Sequence, residues 1–146
     1  LVDSQNSLNN SNFVNLIGKN TDVPGNTIIN NGEPQTLSYT LAGNAETVNV
    51  DILDESGKLV ATLNEKSVPA GANSIAWNGR DAKGKSLPEG KYTFNVHATD
   101  ANDKDVESTS FISGVVSEVV FENGEAFAIV NGTKVPAEQI TRVTQA

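Results

Sequence analysis

Cysteine and methionine are both absent from this chain of 146 residues. Without thiols there is no disulfide scaffold, no thiol nucleophile, no iron–sulfur cluster and no zinc finger. The missing initiator residue is expected of a piece of a longer chain, with any targeting or export signal upstream of Leu1 or removed. Cations are scarce: 10 Lys and Arg stand against 18 Asp and Glu, for a net charge of −8. Nucleic-acid binding rests largely on neutralising phosphates, so this balance argues against a nucleic-acid partner. No apolar run nears the ~18 residues that a membrane-spanning helix needs, and no membrane insertion is expected. Aromatics make up only 5% of the residues, with one tryptophan, Trp77, and one histidine, His97.

What is abundant points to strands. Val, Ile and Thr together number 36 against 9 Leu, and β-branched side chains suit a pleated surface better than a helix. Asn, at 18 residues, favours turns and caps. No stretch of a dozen residues combines helical period with proper caps, so the sequence reads as all-β. Residues 1–12, mostly Ser, Asn and Gln with scattered Leu, read as a flexible linker. Two short apolar pieces follow at 13–17 and 27–29, with a Pro24-Gly25 turn between them.

The middle of the chain alternates cleanly. Leu37, Tyr39 and Leu41 fall on one face of a strand, and Val48, Val50 and Ile52 on one face of the next. Asn73, Ile75 and Trp77 share a face, as do Tyr92, Phe94, Val96 and Ala98, and 106–111 closes the set. Short strands with turn signals about every ten residues describe a β-sandwich, with Trp77 a candidate for its centre. Further on, the runs 115–121, 126–130 and 133–135 are joined by Asn123-Gly124 and Asn131-Gly132. Such pairs between apolar runs are the strongest short-range hairpin signal, because both turn positions take positive φ. A single helical turn is expected at 136–139, where Pro136 leads it.

Size then constrains the architecture. The C-terminal piece has about 35 residues, too few to hold a core without disulfides or metal, and the N-terminal piece is shorter still. Joined, 13–33 and 112–146 suffice for a small five-stranded barrel, with the sandwich of 34–111 inserted between its halves.

Chemistry-bearing motifs dissolve on inspection. Gly79-Arg80-Asp81-Ala82-Lys83-Gly84-Lys85-Ser86 matches the phosphate-binding pattern GxxxxGK[ST], but that chemistry needs a helix starting at the Lys-Ser pair. Leu87-Pro88-Glu89-Gly90 follows instead and stops any helix, so the segment reads as a turn. His97 alternates away from the inward side chains and should face solvent. Asp100-Ala101-Asn102-Asp103-Lys104-Asp105 gathers oxygens as a calcium loop would. Lys104 breaks the EF-hand spacing, and a hairpin tip is the default reading. Glu55, Glu65 and Glu122 form no acid/base pair. No enzyme, metal or cofactor is expected.

Two blocks carry a resemblance. One is Ile52-Leu53-Asp54-Glu55-Ser56-Gly57-Lys58-Leu59-Val60. The other runs from Ala70-Gly71 through Trp77-Asn78-Gly79-Arg80-Asp81-Ala82-Lys83-Gly84 to Pro88-Glu89-Gly90-Lys91-Tyr92. They resemble the C-terminal region of the bacterial flagellar hook-capping family (FlgD, the basal-body rod modification proteins). Leu16-Ile17-Gly18-Lys19 on one side, and Gly114-Val115-Val116 with the 131–143 tail on the other, extend the likeness to 13–143. The Trp-Asn-Gly-Arg-Asp block alone also occurs in extracellular adhesive and secretion-sorting fibronectin-like modules, which are the alternative reading. The resemblance implies a Tudor-like barrel, built from 13–33 and 112–146, with a fibronectin type III-like sandwich inserted at 34–111. It implies a scaffold at the distal end of the growing hook, exported by the flagellar type III pathway. There it would form a ring of cap subunits and promote polymerisation of hook protein. It makes Asp54, Gly57, Trp77, Gly79, Asp81, Gly84, Gly90 and Tyr92 structural, Trp77 and Tyr92 as core and Asp54, Gly57, Asp81, Gly84 and Gly90 as turn formers.

Overall fold

The computed structural model describes residues 13–145, and the linker expected at 1–12 lies outside them. The described residues are all-β and divide into two compact units, one of residues 13–24 with 112–145 and one of Gly25–Phe111. In chain order the strands are β1 (Asn20–Pro24), β2 (Thr27–Asn30), β3 (Gln35–Leu41), β4 (Ala45–Leu53), β5 (Leu59–Val68) and β6 (Gly71–Trp77). They continue with β7 (Gly90–Thr99), β8 (Asp105–Val106), β9 (Ser108–Glu122), β10 (Glu125–Val130), β11 (Thr133–Pro136) and β12 (Arg142–Thr144).

The unit Gly25–Phe111 is a sandwich. One sheet runs β2-β7-β4-β5 with β8 on β7, and β3 in the other pairs β6 on one side and the start of β9 on the other. Alternation sends Leu37, Tyr39 and Leu41 inward from β3, Val48, Val50 and Ile52 from β4, Trp77 from β6, and Tyr92, Phe94 and Ala98 from β7, into one shared core. Tyr39 is fully buried and its hydroxyl donates to Glu65 Oε1 at 2.9 Å. Burial first, and then that bond and the Glu65 charge, hold the Tyr39 hydroxyl far above the usual phenol range.

Strand β2 stands elsewhere than the sequence pattern assigns it. Residues 27–29 fall there within the barrel segment 13–33, whereas Thr27–Asn30 pairs antiparallel with β7, Ile28 opposite Tyr92. The Pro24-Gly25 turn is where the backbone enters the sandwich. Gly25 N–H donates to Ser110 O, and Asn26 exchanges bonds with Phe94 through its own carbonyl and carboxamide.

In the second unit the strand order is β11-β10-β9-β1-β12. Val23, Ile112, Val116, Ala128, Val130 and Val135 form its core, with Leu16, Val119 and Ile140 packed against it. Both Asn-Gly pairs are two-residue hairpin connections, closing Glu122 on Glu125 and Val130 on Thr133. Asn123 (φ 53°), Gly124 (81°), Asn131 (51°) and Gly132 (79°) all take the positive φ such turns require. A 3-10 turn covers Ala137–Gln139 as expected. The apolar piece at 13–17 is not a strand: it forms a 3-10 turn, Val14–Leu16, that leaves Val14 and Ile17 exposed.

Candidate functional site

Four of the residues singled out by the motif, Trp77, Gly79, Gly90 and Tyr92, lie at one corner of the sandwich, at the crossing from β6 to β7. Trp77 ends β6 with 1% of its surface exposed, and its indole N–H donates to Arg80 O at 3.1 Å. Tyr92 meets the indole edge-on, centroids 5.2 Å apart and planes at 66°, a favoured aromatic geometry. The Tyr92 hydroxyl donates to Pro88 O at 2.7 Å. Burial holds that hydroxyl above the ordinary phenol value and the Asp54 charge adds to the effect, while Asn30 acts in the opposite direction.

The corner closes around Asn30, a residue that no sequence motif marks. Asn30 is 3% exposed. Its carboxamide N–H group donates to Pro88 O at 3.1 Å and Leu87 O at 3.4 Å, and its carbonyl accepts from Gly32 N–H at 3.1 Å. Gly79 lies against that carboxamide at φ +76°, and a Cβ there would stand 3.0 Å from Asn30 Oδ1. Gly79 O accepts from Leu87 N–H at 2.9 Å, and Arg80 reaches forward to Gly84 O. Gly90 opens β7 directly opposite Asn30 in the ladder. With Asn26 before it and the Asn31-Gly32 pair after it, a buried Asn has no local signature. Its role is legible only through residues 57 and 58 positions further along.

The remaining motif residues build turns, and one design occurs three times. In Asp54-Glu55-Ser56-Gly57-Lys58, Asp54 Oδ1 accepts from Ser56 N–H at 2.9 Å, Lys58 N–H at 3.0 Å and the Ser56 hydroxyl at 2.6 Å. In Asp81-Ala82-Lys83-Gly84-Lys85, Asp81 Oδ1 accepts from Lys83 and Lys85 N–H, both at 2.9 Å. In Asp100-Ala101-Asn102-Asp103-Lys104, Asp100 Oδ1 accepts from Asn102 N–H at 2.8 Å and Lys104 N–H at 3.0 Å. Each Asp N–H donates to the Lys carbonyl, and each fourth residue donates back to the Asp carbonyl. That fourth residue has positive φ in all three, Gly57 at 87°, Gly84 at 85° and Asp103 at 63°. The recurring Asp-to-Lys pentapeptide is visible in the sequence as an internal repeat.

These turns account for two of the motifs. The calcium-like loop uses its leading carboxylate to hold backbone amides, and among the described residues no group of three or more His, Cys, Asp or Glu is placed to hold a metal. The phosphate-loop look-alike is a turn closed by an Arg80–Ser86 bridge and runs on into β7. His97 is solvent-exposed, with Nε2 3.7 Å from the still more exposed Asp105, an arrangement that contributes little. What the corner does chemically is organise backbone: its polar side chains are bonded to backbone carbonyls and amides.

Comparison with known proteins follows the same residues. Residues 25–102 match the family model described as the FlgD Ig-like domain. The sequence is 29% identical over 112 residues to the basal-body rod modification protein FlgD of Buchnera aphidicola subsp. Acyrthosiphon pisum, covering 76% of this chain and 47% of that protein. It is 30% identical over 92 residues to the protein of the same name from Salmonella typhimurium, covering 58% and 40%. The sequence thus spans about half the length of the curated relatives it matches. Its fold is similar to the crystal structure of FlgD from Xanthomonas campestris, described with insights into the hook capping essential for flagellar assembly. That match has a TM-score of 0.76 at 26% identity and covers 89% of this chain and 95% of the other.

Two outcomes are expected. Trp77→Ala removes the centre of the corner and should lower the unfolding free energy by about 3–5 kcal/mol in urea titration; an unchanged midpoint would show that the indole is not a core element. The second concerns acid. The Ser56 hydroxyl, then the Lys58 amide, hold the Asp54 carboxyl below its ordinary 3.8, and the Lys85 and Lys83 amides do the same for Asp81. With folded values below unfolded ones, the stabilisation is complete above the ordinary carboxylate range and is lost as pH falls through the lowered values. The urea midpoint should therefore drop on acidification, and the Asp54→Asn/Asp81→Asn double variant should flatten that acid limb. An acid limb identical in the two proteins would contradict it.

Proposed function

The chain belongs to the FlgD family, and on that premise we propose that it is part of a scaffold capping the distal end of the growing flagellar hook, where it promotes polymerisation of hook protein. The observation that carries the reading is the match of the Ig-like domain over 25–102, together with a fold similarity that extends through nearly all of the described residues. The role is structural rather than catalytic. The motif side chains are engaged with their own backbone, which leaves them to define a rigid body and not to turn over a substrate. No cofactor enters the proposal, and neither does nucleic acid or insertion into a membrane.

The unit of residues 13–24 and 112–145 is read as a Tudor-like barrel, and Gly25–Phe111 as the fibronectin type III-like sandwich inserted in it. The partners are the hook protein and further copies of the full-length cap, arranged as a ring. The location is extracellular, at the hook tip, after export through the flagellar type III pathway. Export in the unfolded state demands refolding at the tip without help from metal or oxidant. A cysteine-free sequence with three Asp-headed turns, each closed by residues no more than four positions apart, meets that demand, since local contacts form with little loop-closure cost. Abundant Asn, Ser and Thr suit polar contacts to incoming subunits that must break whenever the cap advances.

Deleting the gene that encodes the protein and examining the cells by negative-stain electron microscopy tests the reading. Basal bodies without hooks, with hook protein shed into the medium, are the expected result. Normal hooks with full swimming would overturn it, in favour of an adhesive or sorting module on the same fold.

A further inference from the structure

The sequence contains four Asn-Gly pairs, at 31, 78, 123 and 131, and the structure treats their carboxamides very differently. Asn31 Oδ1 accepts from Glu33 N–H at 3.0 Å and from the Gln35 side chain at 2.9 Å. Asn78 Oδ1 accepts from Arg80 N–H at 3.0 Å. Asn131 Nδ2 donates to Ser113 O at 2.7 Å. Its carboxamide also lies so close over Gly114 that a Cβ on that glycine would meet the amide carbon at 2.7 Å. Asn123 is exposed at the β9–β10 tip, and among the described residues its side chain has no hydrogen-bond partner. Gly124 beside it faces open space, with nothing within 4 Å of where a Cβ would stand.

The pairs at 123 and 131 form an internal control. Both are two-residue hairpin turns, with φ of 53° and 81° in one and 51° and 79° in the other. Backbone conformation and following residue are matched, and the tether on the carboxamide is present at Asn131 and not at Asn123. We propose that Asn123 is a site of spontaneous deamidation and that the Ser113 tether protects Asn131 from the same reaction.

The step is a cyclisation. The Gly124 backbone nitrogen attacks Asn123 Cγ, a new C–N bond forms, and the Asn123 Cγ–Nδ2 bond breaks. Nδ2 leaves as ammonia, taking up the proton from the Gly124 amide. Water then adds across one of the two imide carbonyls and opens the ring to aspartate or isoaspartate. No oxidant, reductant or enzyme is needed. For Gly124 to reach Cγ the carboxamide must rotate, which a free side group does at no cost and a hydrogen-bonded, wedged one does only by breaking its bond. The product carries weight at this position. A new carboxylate joins Glu122 and Glu125, which face each other across the turn, and Glu122 already pairs with Lys134 at 2.8 Å. The isoaspartate form also inserts a backbone methylene into a turn whose geometry sets the hairpin's register.

The test is to hold the folded protein in mildly alkaline buffer, digest it at intervals and follow the two peptides by mass spectrometry. The 123–124 peptide should convert several-fold faster than the 131–132 peptide, whereas in urea the two should convert at similar rates. Gly114→Ala, which pushes the Asn131 carboxamide off Ser113 O, should raise conversion at Asn131 in the folded protein and leave Asn123 unchanged. Equal rates at the two sites in the native fold, or an Asn123 that is stable when folded and converts once unfolded, would overturn the proposal.

Discussion

The sandwich depends on one buried carboxamide. Asn30 sits on an edge strand, yet its amide ties the carbonyls of Leu87 and Pro88 to the backbone of Gly32. Asn30 itself is 3% exposed, and leaving so buried a polar group unpaired costs more than a typical hydrogen bond contributes. The rest of the corner follows from that amide. Position 79 is glycine because the backbone passes against it at positive φ. Tyr92 can stand edge-on to Trp77 because its hydroxyl finds Pro88 O. The β6-to-β7 crossing closes on itself through the Gly79–Leu87 bond.

A second constraint is local. Three Asp-headed turns of one design join or interrupt the strands of the sandwich, each carboxylate bonded to amides two and four residues ahead. Two of them place glycine at the left-handed position. The third tolerates Asp103 there, a residue type that accepts αL better than most. Turns of this kind satisfy their own backbone groups without drawing on the core, which suits a protein low in aromatics and free of cross-links.

Much of this is legible in the residue pattern. Alternation in 37–41, 48–52 and 92–98 specifies which side chains face inward, and the Asn-Gly pairs specify both hairpins of the smaller unit, because each signal acts within a few residues. The strand 27–30 is not legible as part of the sandwich. Its partner β7 lies more than sixty positions away, and a four-residue apolar piece fits either neighbour equally well. The piece at 13–17 is apolar throughout except for Asn15, and its single turn lets Leu16 reach the core while Val14 and Ile17 remain exposed. Asn30 is hidden by its surroundings, one more Asn among turn formers. The turn at 100–104 is visible in principle, as a third copy of the Asp-to-Lys spacing.

The residues that carry the family resemblance therefore organise the backbone of this corner, their polar groups bonded to nearby carbonyls and amides. If the corner is integral to the core, it opens only when the sandwich unfolds. Amide hydrogen exchange read by NMR tests this most directly. The Trp77 indole N–H and the Leu87 amide should exchange as slowly as the Val50 amide in the middle of β4, with the same dependence on denaturant. Exchange at the rates of exposed loops, while Val50 stays protected, would show a corner that opens on its own and contradict the account.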